Sequence, residues 1–78
     1  MRVEIKVPQQ GLTVDYVTFL QWNVKAGDSV KKGDIIAEIE SEKATLQIDS
    51  PADGVLAETI CVPGAEYNIG DIMGYVEA

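Results

Sequence analysis

The chain has no histidine and a single cysteine, and only 6 of its 78 residues are basic against 13 acidic. Each scarcity removes a class of function. With one cysteine there is no intramolecular disulfide, so a small secreted disulfide scaffold is excluded. With no histidine, Cys61 has no imidazole to activate it, and its plain reading is a small buried hydrophobe. A net charge of −7 and six scattered cations argue against nucleic acid, which needs clustered Lys and Arg. No apolar run approaches the ~20 residues that a membrane-spanning helix requires. The opening residues, MRVEIKVP, lack the apolar stretch of a signal peptide. The expected setting is a reducing one, cytoplasmic or a mitochondrial matrix, with no nucleic acid and no membrane as partner. The carboxylates are spread along the chain without a dense calcium-type loop, so no metal site is expected. Nor are the glycines spaced for a phosphate loop.

What is present is a repeat. VKAGDSVKKGDIIAEIE (24–40) resembles CVPGAEYNIGDIMGYVE (61–77), with Gly27 matching Gly64, Gly33 matching Gly70 and Asp34-Ile35 matching Asp71-Ile72. The offset is constant, 70 − 33 = 37 residues, close to half the chain. Two copies in so short a chain predict two half-domains about a pseudo-twofold axis, not a solenoid. The paired glycines at segment ends predict backbone conformations that only glycine reaches cheaply.

The periodicity is that of strands. Val3, Ile5 and Val7 alternate with Arg2, Glu4 and Lys6; Ile35, Ala37 and Ile39 alternate with Ile36, Glu38 and Glu40. The matching face of the second copy carries Ile72, Gly74 and Val76. The stretches 17–24 and 54–62 are strand-like in composition but leave their facing open, and no window carries a helical stripe. The predicted fold is all-β: a flattened β-barrel or sandwich of antiparallel sheets, one domain spanning 1–78. Trp22 and Phe19 are expected to pack in its core, and Glu38 and Glu40 to share a solvated face.

One turn does not fit the usual chemistry of turns. In EIESEKATLQID (38–49), Ile39 on one side and Leu46 and Ile48 on the other share a face if the chain reverses at Glu42-Lys43. Tight reversals favour Gly or Asn, because their turns need positive φ. Here the tip is a lysine beside a glutamate. A turn lysine is ordinarily a solubilising charge, but this one lies near the midpoint of an internally repeated domain, where a side chain would serve as the handle for covalent cargo.

At these residues the chain resembles a lipoyl domain of the 2-oxo acid dehydrogenase acyltransferases. That family centres on a lysine in an Asp-Lys-Ala turn, approached by an Ile-Glu strand and left by one ending in Ser-Pro. Here the segment is IESEKATLQIDSPADG, with Lys43 at the modified position, flanked by Glu42 and Ala44. VPQQGLTV (7–14) resembles the family's Pro-Gly loop, and WNVKAGDSVKKGD (22–34) its Trp-x-Val-Lys-x-Gly-Asp segment. The resemblance covers essentially the whole chain. It implies two four-stranded sheets and lipoic acid in amide linkage on Lys43. It implies no catalytic residues in the domain, since the chemistry belongs to the cofactor and to partner active sites. The implied partners are a lipoate ligase or lipoyl transferase, a thiamine-dependent 2-oxo acid decarboxylase, an acyltransferase core and dihydrolipoamide dehydrogenase, with the isolated domain a monomer. Glu42 replaces the family's Asp, and Tyr16-Val17 replaces the acidic residue and Gly that many members carry beside the lysine turn.

Alternative readings are a biotin carboxyl carrier domain and an unmodified hairpin-type interaction module. Biotin domains flank their lysine with methionines, and here Met73 is far away in sequence. The lipoylated glycine-cleavage carrier is a longer chain with added helices. Hairpin adaptor modules sit within longer chains with helical hairpins. A free-standing carrier and the N-terminal domain of an acyltransferase would share this sequence.

Overall fold

A computed structural model describes residues 1–9, 15–42 and 44–78. Eight strands follow one another: β1 (Arg2–Lys6), β2 (Tyr16–Trp22), β3 (Ser29–Val30), β4 (Ile35–Glu40), β5 (Thr45–Asp49), β6 (Gly54–Thr59), β7 (Glu66–Asn68) and β8 (Ile72–Glu77). They form two four-stranded antiparallel sheets, ordered β1-β8-β6-β3 and β5-β4-β2-β7. The result is a sandwich, not a closed barrel, and the described residues contain no helix.

The repeat is carried into the topology. Adding 37 to a residue number takes β2 to β6, β3 to β7 and β4 to β8, and adding 43 takes β1 to β5. The same operation converts one sheet order into the other. The change of offset, 43 − 37 = 6, places six extra residues between β1 and β2, where residues 10–14 lie outside the described part. Hydrogen bonds repeat as well. Gly27 N–H donates to Leu56 O at 2.7 Å and Gly64 N–H to Phe19 O at 2.8 Å; Gly33 N–H donates to Ser50 O and Gly70 N–H to Val7 O, both at 3.0 Å. Gly33 and Gly70 have φ of 94° and 91°, the positive values that the repeat predicted.

The core lies between the sheets. Ile5, Val17, Phe19, Ile36, Ile39, Leu56, Met73 and Val76 are buried, and Trp22, Leu46 and Tyr67 pack against them. Phe19 is the hub: its ring lies 5.2 Å from that of Trp22 and meets Tyr67 edge-on at 6.4 Å. Trp22 and Phe19 are therefore packing residues, as expected. Among the described residues the one buried polar side chain is that of Ser50, satisfied by donating to Ala52 O at 2.7 Å.

The facing of β4 and β8 departs from simple alternation. Ile36 is fully buried beside Ala37, whereas Ile35 is 39% exposed. The cause is a β-bulge: the β4–β5 register runs Ile35↔Asp49 and then Ala37↔Ile48, leaving Ile36 without a partner. The extra residue shifts the period by one, so consecutive residues both face inward. The second copy does the same. The β1–β8 register passes from Lys6↔Ile72 to Ile5↔Gly74, and Met73 is fully buried. Ile36 and Met73 are 73 − 36 = 37 residues apart. The bulge belongs to the repeat, and the expected inward faces of Ile35 and Ile72 pass to their neighbours.

Candidate functional site

The hairpin β4–β5 presents the candidate site. Its register, Ile39↔Leu46 and then Glu40↔Thr45, puts Ile39 and Ile48 in the core with Leu46 packed against it. Past the last pair, Ser41 N–H donates to Ala44 O at 2.8 Å and the Ser41 hydroxyl donates to the same oxygen at 3.1 Å. The last described rung of the hairpin therefore joins Ser41 to Ala44. Glu42 and Ala44 are both exposed, so the described walls of the tip leave it open to solvent. Lys43 itself lies outside the described residues.

A groove of about 540 Å³ runs beside the tip. One side is formed by Glu40, Ser41, Glu42, Ala44 and Thr45, the other by Tyr16 and Thr18 of β2 and Glu66 of β7. Strand register explains the convergence. Thr18 pairs with Glu40 on one side and with Glu66 on the other, so Glu66, Thr18, Glu40 and Thr45 form one row across the sheet. Three of the groove's described residues are glutamates and none is basic. Tyr16 is 53% exposed at its edge. The Tyr16 departure from the family pattern therefore lies beside the tip, as the resemblance implied. Glu66 and Ser41 were not singled out by sequence. Glu66 reaches the groove only through β7 pairing, and Ser41 looks like an ordinary turn serine.

The other candidates resolve into structure. Cys61 is 3% exposed, and its carbonyl accepts Trp22 Nε1–H at 3.0 Å. Burial pushes its thiol up to about 11, partly offset by a hydrogen bond with Tyr67 and reinforced by the nearby Asp71 carboxylate. A thiol so suppressed is a poor nucleophile at neutral pH. Glu38 takes a hydrogen bond from Gln21 Nε2 at 3.3 Å, and Glu40 is exposed. Among the described residues no three His, Cys, Asp or Glu side chains group as metal ligands.

Two sheets related by a pseudo-twofold, with exposed Glu42 and Ala44 at the end of the β4–β5 hairpin, frame the candidate site. Residues 3–76 match the biotin/lipoyl family, whose model carries the description biotin-requiring enzyme, and the chain belongs to that family. Within it the likeness is to the lipoyl branch. The lipoyl domain of the 2-oxoglutarate dehydrogenase complex from Azotobacter vinelandii superposes with a TM-score of 0.79 at 29% identity, covering 97% of this chain and 96% of that one. Among curated relatives, the dihydrolipoyllysine-residue succinyltransferase component of the 2-oxoglutarate dehydrogenase complex of Rickettsia conorii is 37% identical over 76 residues. The match covers 97% of this chain and 19% of that protein. The dihydrolipoyllysine-residue acetyltransferase component of the pyruvate dehydrogenase complex of Zymomonas mobilis is 39% identical over 66 residues, covering 85% of this chain and 15% of that protein. The chain thus spans less than a fifth of either relative's length, and it is a lipoyl-type domain of the kind such acyltransferases carry.

Proposed function

We propose that Lys43 bears lipoic acid in amide linkage and that the domain is a swinging-arm carrier within a 2-oxo acid dehydrogenase complex. The observation that carries this reading is the end of the β4–β5 hairpin: a rung between Ser41 and Ala44, with Glu42 and Ala44 exposed, in a chain of the lipoyl type. A primary amine at position 43 supplies the nitrogen for the amide, and the open flanks leave room for a long substituent. The group, when bound, supplies a cyclic disulfide able to accept electrons and carry an acyl group. The domain's own residues do no bond-making in that cycle. The sandwich holds the tip on a rigid body, and tethering converts encounters with partner sites into effectively intramolecular ones. Non-catalytic itself, the domain serves as one part of a larger acyltransferase.

The partners this implies are a thiamine-dependent decarboxylase, an acyltransferase core and dihydrolipoamide dehydrogenase, with a lipoate ligase or transferase for loading. The acidic groove is the surface they would meet first, and its charge favours basic docking faces. The biotinyl reading loses ground on one further point. Met73, a residue of β8, is wholly buried in the core, so it does not stand beside the tip as the flanking methionines of biotin domains do. The test is intact mass after separate incubation with lipoate ligase and with biotin ligase, each with its acid and ATP. A lipoyl increment in the first and none in the second supports the proposal; a biotinyl increment, or no increment in either, contradicts it.

A further inference from the structure

The second half of the molecule carries an exposed apolar segment where the first half is polar. Ile60 and Val62 are 47% and 56% exposed, with Cys61 buried between them and Pro63 exposed after them. Their counterparts at the constant offset, 60 − 37 = 23 and 62 − 37 = 25, are Asn23 and Lys25. The backbone is the same in both places. Ile60 N–H donates to Met73 O at 2.9 Å, as Asn23 N–H does to Ile36 O at 2.8 Å. Ala65 N–H donates to Val62 O at 3.2 Å, as Asp28 N–H does to Lys25 O at 3.0 Å. The fold therefore does not require apolar side chains at these two positions, and leaving them in water gains nothing for stability.

The segment is also held more firmly than its counterpart. Cys61 O accepts Trp22 Nε1–H at 3.0 Å, and the position matching Trp22, 22 + 37 = 59, is a threonine. Val62 N–H is held by the Tyr67 hydroxyl at 2.8 Å. Pro63, with its fixed φ, stands where the first half has Ala26. Ile60 and Val62 thus form a short ridge whose backbone is ordered before any partner arrives, so little entropy is lost when they are covered. The ridge runs into the acidic groove. Val62 is joined through its turn to Ala65, Ala65 O accepts Phe19 N–H at 2.9 Å, and the next residue, Glu66, stands in the groove's β7 wall.

Three side chains fall well short of the ~800 Å² per partner that a stable pair of proteins buries, so a second copy does not fit. A brief encounter does, and ridge and groove together describe the face it needs: an apolar pocket bordered by basic side chains. We propose that the Ile60–Val62 ridge is a docking contact for the thiamine-dependent decarboxylase that loads the carrier, extending the groove's footprint past Glu66. This rests on the carrier reading above. An acyltransferase core in the same chain meets the domain at high effective concentration and needs little docking energy. The dehydrogenase performs the same reoxidation whichever acyl group was carried. The decarboxylase must both find the domain and reject a foreign one, and that takes binding energy.

The test uses the unloaded domain, isotope-labelled, and reads the attenuation of its amide signals. It is titrated with the decarboxylase of a pyruvate complex and, separately, with that of a 2-oxoglutarate complex. The proteins are wild type, Ile60→Asn with Val62→Thr, Val62→Thr alone, and Val55→Thr. Val55, 41% exposed at the other end of β6, is a comparison of the same chemistry. The substitutions leave the charge unchanged, and Asn is the residue that the matching position already carries, so the fold is retained, as melting curves verify. At least one decarboxylase should attenuate the amides of Ile60, Cys61 and Val62 together with those of Thr18 and Glu66. The double variant should bind about tenfold more weakly, Val62→Thr about threefold, and Val55→Thr within about twofold of wild type. Attenuation confined to the groove, unchanged affinity in the double variant, or an equal loss in Val55→Thr would each overturn the proposal. Attenuation by neither decarboxylase would overturn it too, while intact mass after incubation with lipoate ligase reports separately on the carrier reading.

Discussion

Asp28 and Tyr67 perform the same task in opposite halves of the molecule. The Asp28 carboxylate accepts the Lys25 N–H at 2.9 Å, closing the turn that leads into β3. In the second half the residue matching Asp28 is Ala65, which has no acceptor, and the amide matching that of Lys25 belongs to Val62. There the Tyr67 hydroxyl accepts instead, at 2.8 Å. The repeat has kept the hydrogen bond and changed the residue that makes it. Tyr67→Phe and Asp28→Ala should each destabilise the domain by about 1 kcal/mol, with a water partly replacing the lost acceptor. Urea denaturation compares the two. An effect confined to one of them would show that the two turns are not equivalent.

Gly33 and Gly70 should respond alike to alanine. At both positions φ is positive and a Cβ would meet nothing within 4 Å, so the cost is backbone strain alone. A loss of about 1–2 kcal/mol is expected at each, and Asn, which tolerates this region, should lose less. Thermal melts of the four variants decide it; Ala variants as stable as wild type would mean that the conformation is not required.

Gly74 is the contrasting case, without a positive φ but with no space. A Cβ there would run into the Glu58 carbonyl and crowd Trp22, so Gly74→Ala must separate β6 from β8. Its loss of stability should exceed that of Gly33→Ala in the same denaturation series. The reverse order would contradict the close packing of these two strands.

The Cys61 thiol should resist alkylation by iodoacetamide in the folded domain at neutral pH and react once the domain is unfolded in urea. Its folded value is pushed up to about 11 from an ordinary 9.0, so the folded state holds a proton that the unfolded chain releases first. The resulting stabilisation is fully present below about pH 9 and is lost as the pH rises through about 11. Denaturation midpoints across that window should fall more steeply in wild type than in Cys61→Ala. Equal slopes would show that burial of the thiol does not control its ionisation.

Much of this was legible in the sequence because the repeat is a physical constraint as well as a pattern. Gly33 and Gly70 at one offset announced matched turns, and Ile39, Leu46 and Ile48 gave the register of the hairpin. The bulges were not legible. Ile35-Ile36 offers two equally apolar residues to one inward position, and composition does not say which one the sheet takes. Met73 was hidden in the same way by Ile72. At the site, Glu42 and Ala44 were identified as flanks by their place in the chain. Glu66 could not be, since only the pairing of β7 with β2 brings it to the groove. The replacement of Asp28 by Tyr67 was also invisible, because the two are not at matching positions.

The most direct test of the carrier assignment is peptide mapping after loading. Wild type and Lys43→Arg are incubated with lipoate ligase, lipoate and ATP, digested, and measured by mass. Arginine keeps the charge and adds no new constraint at an exposed tip, so the variant should fold with stability within about 0.5 kcal/mol of wild type. The account predicts a single lipoyl increment on the wild-type peptide that holds residue 43, and none anywhere in the variant. An increment on Lys6, Lys25, Lys31 or Lys32, or one that persists in Lys43→Arg, would contradict it.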